Sequence, residues 1–215
     1  MFYYDADKIF TFLKGFYKGA GMNSSLRALI FARAVHEGQF RADGQPFLVH
    51  PLFMASYLIS MKVYDDDLSS IVLLHDVNED RGVEIDTLPF NKIIREGVRY
   101  MTFRQHDNED KESAKERYYR ELLLSREALM CKAVDRFMNL ASMEGVLSKE
   151  AVENNIIETD TLLLPVLREG REKWPEIADY LFVMRANLRA VMETLAWVHG
   201  IELRECGKRG VRLCG

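Results

Sequence analysis

Apolar residues recur along most of this chain at i, i+3, i+4 and i+7, the spacing that lines one face of an α-helix. Phe10, Leu13, Phe16 and Tyr17 form the first such stripe. Asn23, Ser24 and Ser25 offer the N-cap of a second helix that reaches Val35 to Glu37. The segment HEGQFRADGQPFLVHP then sets two glycines and two prolines among polar residues, and reads as a loop. Pro51 suits the first position of the next helix, with His50 at its cap. Asp65, Asp66 and Asp67 are N-cap and dipole-favoured residues for a helix over 67–80 that stops near Gly82. Further helices are expected over 91–103, 117–124, 127–140, 149–167 and 175–198, with the polar run 104–117 as a loop leading into a solvated helix. Strand signals are scarce and no repeat has a fixed period. The pattern predicts an all-α bundle of about eight or nine helices, with a single domain over 1–200 and a weakly structured tail over 201–215.

Composition narrows the function classes. With 215 residues and 48% hydrophobic positions, the chain is long enough to bury a sizeable core. Its net charge of -4 argues against a protein whose main task is coating nucleic acid. Three cysteines at no metal-finger spacing argue against a disulfide framework and favour a reducing cytoplasm. Asp5 and Asp7 interrupt the N-terminal segment before an apolar region forms, so a secretory signal is not expected. No apolar run approaches the length of a membrane span, so no membrane association is expected.

The segment LLHDVNED carries the densest chemistry. His75, Asp76, Glu79 and Asp80 follow the apolar run Ile71 to Leu74, which puts ionisable groups at the end of a core helix. Such groups are costly to bury unless they are paired or hold a cation. An adjacent imidazole and carboxylate suit a divalent ion. The plainer reading is a charged helix end facing water. Two features weigh against it: His50, 25 residues upstream, and the polar strip Lys132, Asp135 and Asn139, at i, i+3 and i+7 on one face of a later helix. That strip is also compatible with ordinary amphipathicity. Cys131 faces away from Asp135 by the 3.6-residue period.

In order, His50, His75-Asp76 and Asp135 resemble the H…HD…D pattern of HD-domain metal-dependent phosphohydrolases. Four longer blocks, AVHEGQFRADGQPFLVHP, IVLLHDVNEDRG, KAVDRFMNL and IIETDTLLLP, resemble the hydrolase domain of the RelA/SpoT family over residues 25–195. That resemblance implies removal of the 3′-pyrophosphate of (p)ppGpp by a stand-alone small alarmone hydrolase of HD-domain fold. It implies that His50, His75, Asp76 and Asp135 bind one Mn²⁺, a donor set that suits Fe²⁺ or Zn²⁺ as well. It further implies that Glu79 and Asp80 position and deprotonate the attacking water. Asn139 would contact the nucleotide near the scissile phosphate, Arg41 would pack on the purine or its phosphate, and Lys132 and Arg136 would face the pyrophosphate. Arg136 has the alternative of pairing with a carboxylate, and Glu158-Thr159 would form a pocket wall.

His36 reads either as a helix-end histidine bonded to backbone or as support for the metal site. Asn78, Arg81 and Met138 depart from the family's usual residues and bear on substrate choice. The alternatives are an antitoxin that removes pyrophosphate from a tRNA 3′ end, a phosphatase of a nucleotide such as NADPH, and a non-enzymatic alarmone-binding module. Lys208, Arg209 and Arg212 would supply the basic rim the tRNA reading needs.

Overall fold

The computed structural model describes residues 5–41, 44–143 and 145–202. Among them every regular element is a helix, apart from one isolated bridge between Phe40 and Pro46. The all-α class expected from the periodicity is therefore the class that forms. No helix among the described residues is long and apolar enough to cross a membrane. The tail from 203 onward, with Lys208, Arg209 and Arg212, lies outside the described residues. The chain divides into two compact units, Met1–Lys132 and Ala133–Gly215.

The first unit begins with α1 (Ala6–Ala20), capped by the Asp5 side chain and closed by Gly21 in the left-handed region. Phe10, Leu13 and Tyr17 are buried, whereas Phe16 is half-buried against Tyr64 at 5.5 Å. The α2 helix (Asn23–Val35) has Met22 at its N-cap and receives no cap from its own serines. Instead Asp66 accepts from the backbone N–H of Ser24 at 3.1 Å and of Ser25 at 2.7 Å, and from the Ser25 hydroxyl at 2.6 Å. The expected local cap is thus replaced by a carboxylate 41 residues away. This bolts the N-termini of α2 and α4 (Asp66–Leu74) together.

The loop before α3 (Val49–Ser60) folds back on itself. Arg41 N–H donates to the Gln45 carbonyl at 2.8 Å, and Phe47 N–H donates to the Gln39 carbonyl at 2.8 Å. The α3 helix starts two residues earlier than Pro51 suggests. Proline is tolerated there because the first turn's N–H groups have no helical partner.

Every residue of α4 from Leu68 to Leu74 is buried, and the helix packs against α2, α3 and α6 (Lys92–Met101). Gly97 is what lets α6 approach. A Cβ built there would overlap Ile71 Cδ1 and lie 2.7 Å from Ile71 Cγ1. The predicted helix over 67–80 is interrupted. It ends at Leu74 and resumes as α5 (Val77–Arg81), leaving His75 and Asp76 at the break. The α7 helix (Lys111–Glu121) begins six residues before the predicted start. Asp110 caps it through the N–H groups of Glu112 and Ser113, and Arg117 pairs with Glu109 and Glu121.

The α8 helix (Arg126–Ala141) crosses the division between the units. In the second unit α9 (Lys149–Glu158) passes through a π-turn at 159–163 into α10 (Leu164–Lys173). Thr159 and Thr161 each donate a hydroxyl to the carbonyl four residues back, at 2.7 Å, and Pro165 has no N–H to give. The regular ladder therefore loosens within the predicted helix over 149–167. A single 3-10 turn then leads into α11 (Ala178–His199).

Two outcomes test these joints. Asp66→Ala removes three charge-assisted bonds and is expected to cost about 2 kcal/mol in chemical denaturation. Burial pushes the Asp66 carboxyl up, but the bonds from Ser25 and Ser24 outweigh it and hold the group below the usual carboxylate range. A depressed carboxyl stabilises above its unfolded pKa, so the gap between wild type and variant should shrink as pH falls below about 4. Gly97→Ala is expected to cost about 1–3 kcal/mol by overpacking against Ile71, read as a lowered denaturation midpoint.

Candidate metal centre

The break after α4 makes the site. His75 Nδ1 donates to the Val72 carbonyl at 2.8 Å. An unbroken helix would offer that carbonyl to the Asp76 N–H, so the imidazole displaces the backbone bond and the helix stops. Asp76 then turns out of helical geometry (φ -98°, ψ -3°) and heads α5. With the proton on Nδ1, His75 Nε2 carries the lone pair, and it lies 2.9 Å from Asp76 Oδ2. His50, on the first turn of α3, brings its ring to 5.5 Å from that of His75. One ligand atom from each of His50, His75 and Asp76 lies within 4.8 Å of the other two.

Both imidazoles are buried, while Asp76 keeps 25% of its side chain exposed, which leaves the cluster open on the carboxylate side. A lone pair and a carboxylate oxygen at this spacing repel each other unless positive charge sits with them. Two imidazole nitrogens and one hard oxygen are the donors a divalent cation takes. The residues present therefore fit a metal ion, and the Val72 carbonyl orients one ligand in the usual way.

Glu79 and Asp80 stand on α5, each held from a different side. The Phe103 N–H, just beyond α6, donates to Glu79 Oε1. Glu79 reaches solvent, but the protein packed round its carboxyl raises it above the usual range. The Phe103 N–H opposes that rise, the Asp76 charge adds to it, and Lys132 and His75 pull it down. Gln39 Nε2 donates to Asp80 Oδ2 at 2.9 Å. Because a carboxylate can only accept, the Gln39 amide oxygen is left to face His36 Nδ1–H at 2.8 Å.

His36 caps the end of α2, is buried, and stacks on Phe47 at 4.6 Å. Its ring thus bonds a side chain rather than the backbone partner first expected, and burial holds it below its ordinary pKa. Gln39 and the Phe103 N–H were not singled out in the sequence. Gln39 had a signal, since it follows His36 by three residues, whereas a backbone N–H has none.

The remaining predicted residues are placed as follows. Arg41 sits half-buried in the folded-back loop. Lys132 ends the first unit, lies 5.4 Å from the centre of the Tyr118 ring, and acts electrostatically on Glu79. Asp135, Arg136 and Asn139 belong to the second unit. There Asn139 Nδ2 donates to Asp135 Oδ1 at 2.7 Å. Arg136, buried, pairs with Glu158 and donates to Asn155 Oδ1 at 2.8 Å. Asn78 is turned to the Val83 carbonyl at 2.9 Å, and Cys131 is buried.

No family model matches the chain. It is 30% identical over 183 residues to the GTP pyrophosphokinase rsh of Brucella melitensis biotype 1, covering 79% of this chain and 24% of that protein. It is 29% identical over 124 residues to the bifunctional (p)ppGpp synthase/hydrolase SpoT of Escherichia coli strain K12, covering 54% of this chain and 18% of that protein. The chain thus spans about a quarter or less of the length of these curated relatives. Among solved structures, a metazoan ortholog of SpoT that hydrolyses ppGpp superposes with a TM-score of 0.60 at 18% identity, over 82% of this chain and 96% of that one. At that identity the likeness speaks for the fold, and the curated relatives speak for descent: the chain belongs to the RelA/SpoT family and has the all-α fold of its HD-type hydrolases.

Proposed function

We propose that this chain is a metal-dependent pyrophosphohydrolase that removes the 3′-pyrophosphate of ppGpp or pppGpp to give GDP or GTP and pyrophosphate. The observation that carries the reading is the meeting of His50, His75 and Asp76, with two carboxylates on the helix that follows. The SpoT ortholog of matching fold hydrolyses ppGpp, and the Escherichia coli relative is named a bifunctional (p)ppGpp synthase/hydrolase, which supports the same substrate class. His50, His75 and Asp76 would hold the ion. Asp135 joins them on the motif resemblance alone. A divalent ion held there supplies positive charge to the phosphate oxygens and acidifies water, and Mn²⁺ is the ion we assign.

The chain's own residues do the rest. Glu79, with its raised carboxyl, is suited to take the proton of the attacking water near neutral pH. Asp80, fixed by Gln39, orients that water. Water adds its oxygen to the phosphorus bonded to ribose O3′, the P–O3′ bond breaks so that pyrophosphate leaves with the new oxygen, and the proton that Glu79 takes from the water is balanced by one delivered to O3′. Lys132 lends positive charge beside Glu79, and Arg41 and Asn139 contact the nucleotide. Arg136, buried and paired with Glu158, takes the structural alternative of binding a carboxylate.

Pyrophosphate release from ppGpp by purified protein tests the reading. With Mn²⁺ present, release is expected, and it should vanish on chelation and in Asp76→Ala, which should also lose bound metal. Glu79→Ala combined with Asp80→Ala should keep metal and bind ppGpp, yet slow turnover by about a thousandfold. No release from ppGpp while Mn²⁺ is demonstrably bound would refute the substrate, and no bound metal would refute the enzyme. Gln39→Leu should lower kcat about tenfold with metal content and KM little changed, because it loosens Asp80 without touching the ion. Unchanged kcat would show that the Gln39 contact does not matter to turnover.

A further inference from the structure

The second unit carries a cluster of arginines that the proposed hydrolase chemistry does not use. Arg168 and Arg171 stand one turn apart on α10, and Arg185 and Arg189 one turn apart on α11. The 3-10 turn at Pro175–Ile177 folds α11 back along α10, so the two pairs lie along one seam, offset from each other by one turn. The contact of Arg171 with the Phe182 ring, 5.0 Å from guanidinium carbon to ring centre, sets the register. In that antiparallel register Arg168 comes opposite Arg185, with Arg171 one turn off at one end of the seam and Arg189 one turn off at the other.

Arg27, Arg81, Arg95 and Arg104 form no ion pair among the described residues, but elsewhere the chain matches many of its arginines to acids: Arg33 to Asp7, Arg99 to Asp86, Arg117 to Glu109 and Glu121, and Arg126 to Asp65 and Glu127. At this seam it does not. Among the described residues none of the four makes an ion pair, although Glu172 and Glu193 stand one turn from Arg168 and Arg189. The Nε atoms of Arg171 and Arg185 are buried with no hydrogen-bond partner among the described residues. Burial pushes Arg185 below the usual guanidinium range, and the charges that add to this are Arg189, Arg171 and Arg168, all of the same sign. Orphaned buried donors and unrelieved like charge both oppose folding, and one anion would relieve both.

We propose that the α10–α11 seam is a binding site for a small phosphate oxyanion of the pyrophosphate type. A guanidinium edge presents two parallel N–H groups that match two phosphate oxygens, and four such edges suit an anion of more than one phosphate group. The four arginines span about two helical turns along the seam, ~10 Å, which a diphosphate with a guanidinium at each end bridges and which is short for a long polyanion. The net charge of -4 on the whole chain also disfavours an extended nucleic-acid track. The site lies wholly in the second unit, whereas His50, His75 and Asp76 lie in the first. It is therefore independent of the hydrolase reading.

The test uses the full chain, stripped of metal and dialysed free of chelator, with inorganic pyrophosphate as the probe. Thermal unfolding of wild type should shift upward with pyrophosphate. Arg185→Gln with Arg189→Gln should remove most of that shift and, without ligand, should melt higher than wild type, because repulsion has been relieved. A purely structural role for these arginines predicts the opposite, a lower melting point. Arg168→Gln, at an exposed position, provides a second variant that should weaken pyrophosphate binding several-fold by calorimetry without lowering the melting point. The proposal is overturned if pyrophosphate leaves wild type unshifted or if the shift survives in the double variant. It is equally overturned if a short single-stranded RNA binds the seam where pyrophosphate does not.

Discussion

One hydrogen bond organises the candidate metal centre: His75 Nδ1 to the Val72 carbonyl. It spends a backbone acceptor that helix α4 needs in order to continue, so the helix ends where its polar residues begin. It also fixes the imidazole tautomer, which leaves the nitrogen facing Asp76 with a lone pair. The buried run Leu68 to Leu74 makes this possible, because a helix anchored along its whole length delivers its last residue to a fixed place. Asp66 and Gly97 serve the same end: Asp66 ties the N-terminus of α4 to α2, and Gly97 lets α6 pack against Ile71.

Around that fixed point the first unit holds two carboxylates in unlike settings. Glu79 meets a backbone N–H and crowded protein, whereas Asp80 meets an amide anchored on a buried histidine. Two acids with different surroundings are the condition for dividing a base from an orienting group. The polar link from His36 through Gln39 to Asp80 is short and each bond has one allowed direction, since a carboxylate cannot donate. The second unit shows the opposite economy. It gathers four arginines along one seam, none of them in an ion pair among the described residues, so that like charges act on Arg185.

Helical periodicity, acidic N-caps and the scarcity of strand signals determined the all-α class without help from tertiary structure, because a 3.6-residue stripe can bury only as a helix. The run Leu73 to Asp80 also announced its chemistry, since four ionisable groups at the end of an apolar helix need partners. Other features were decided only when elements met. The cap of α2 came from Asp66, because Ser24 and Ser25 turned their N–H groups to a neighbouring carboxylate rather than to their own side chains. The helix expected over 67–80 broke at a side-chain bond no period can reveal. The meeting of His50 with His75, the grip of the Phe103 N–H on Glu79 and the gathering of four arginines along the α10–α11 seam likewise depend on packing. Local sequence sets which residues share a helix face, but distances between helices come from the side chains that fit between them.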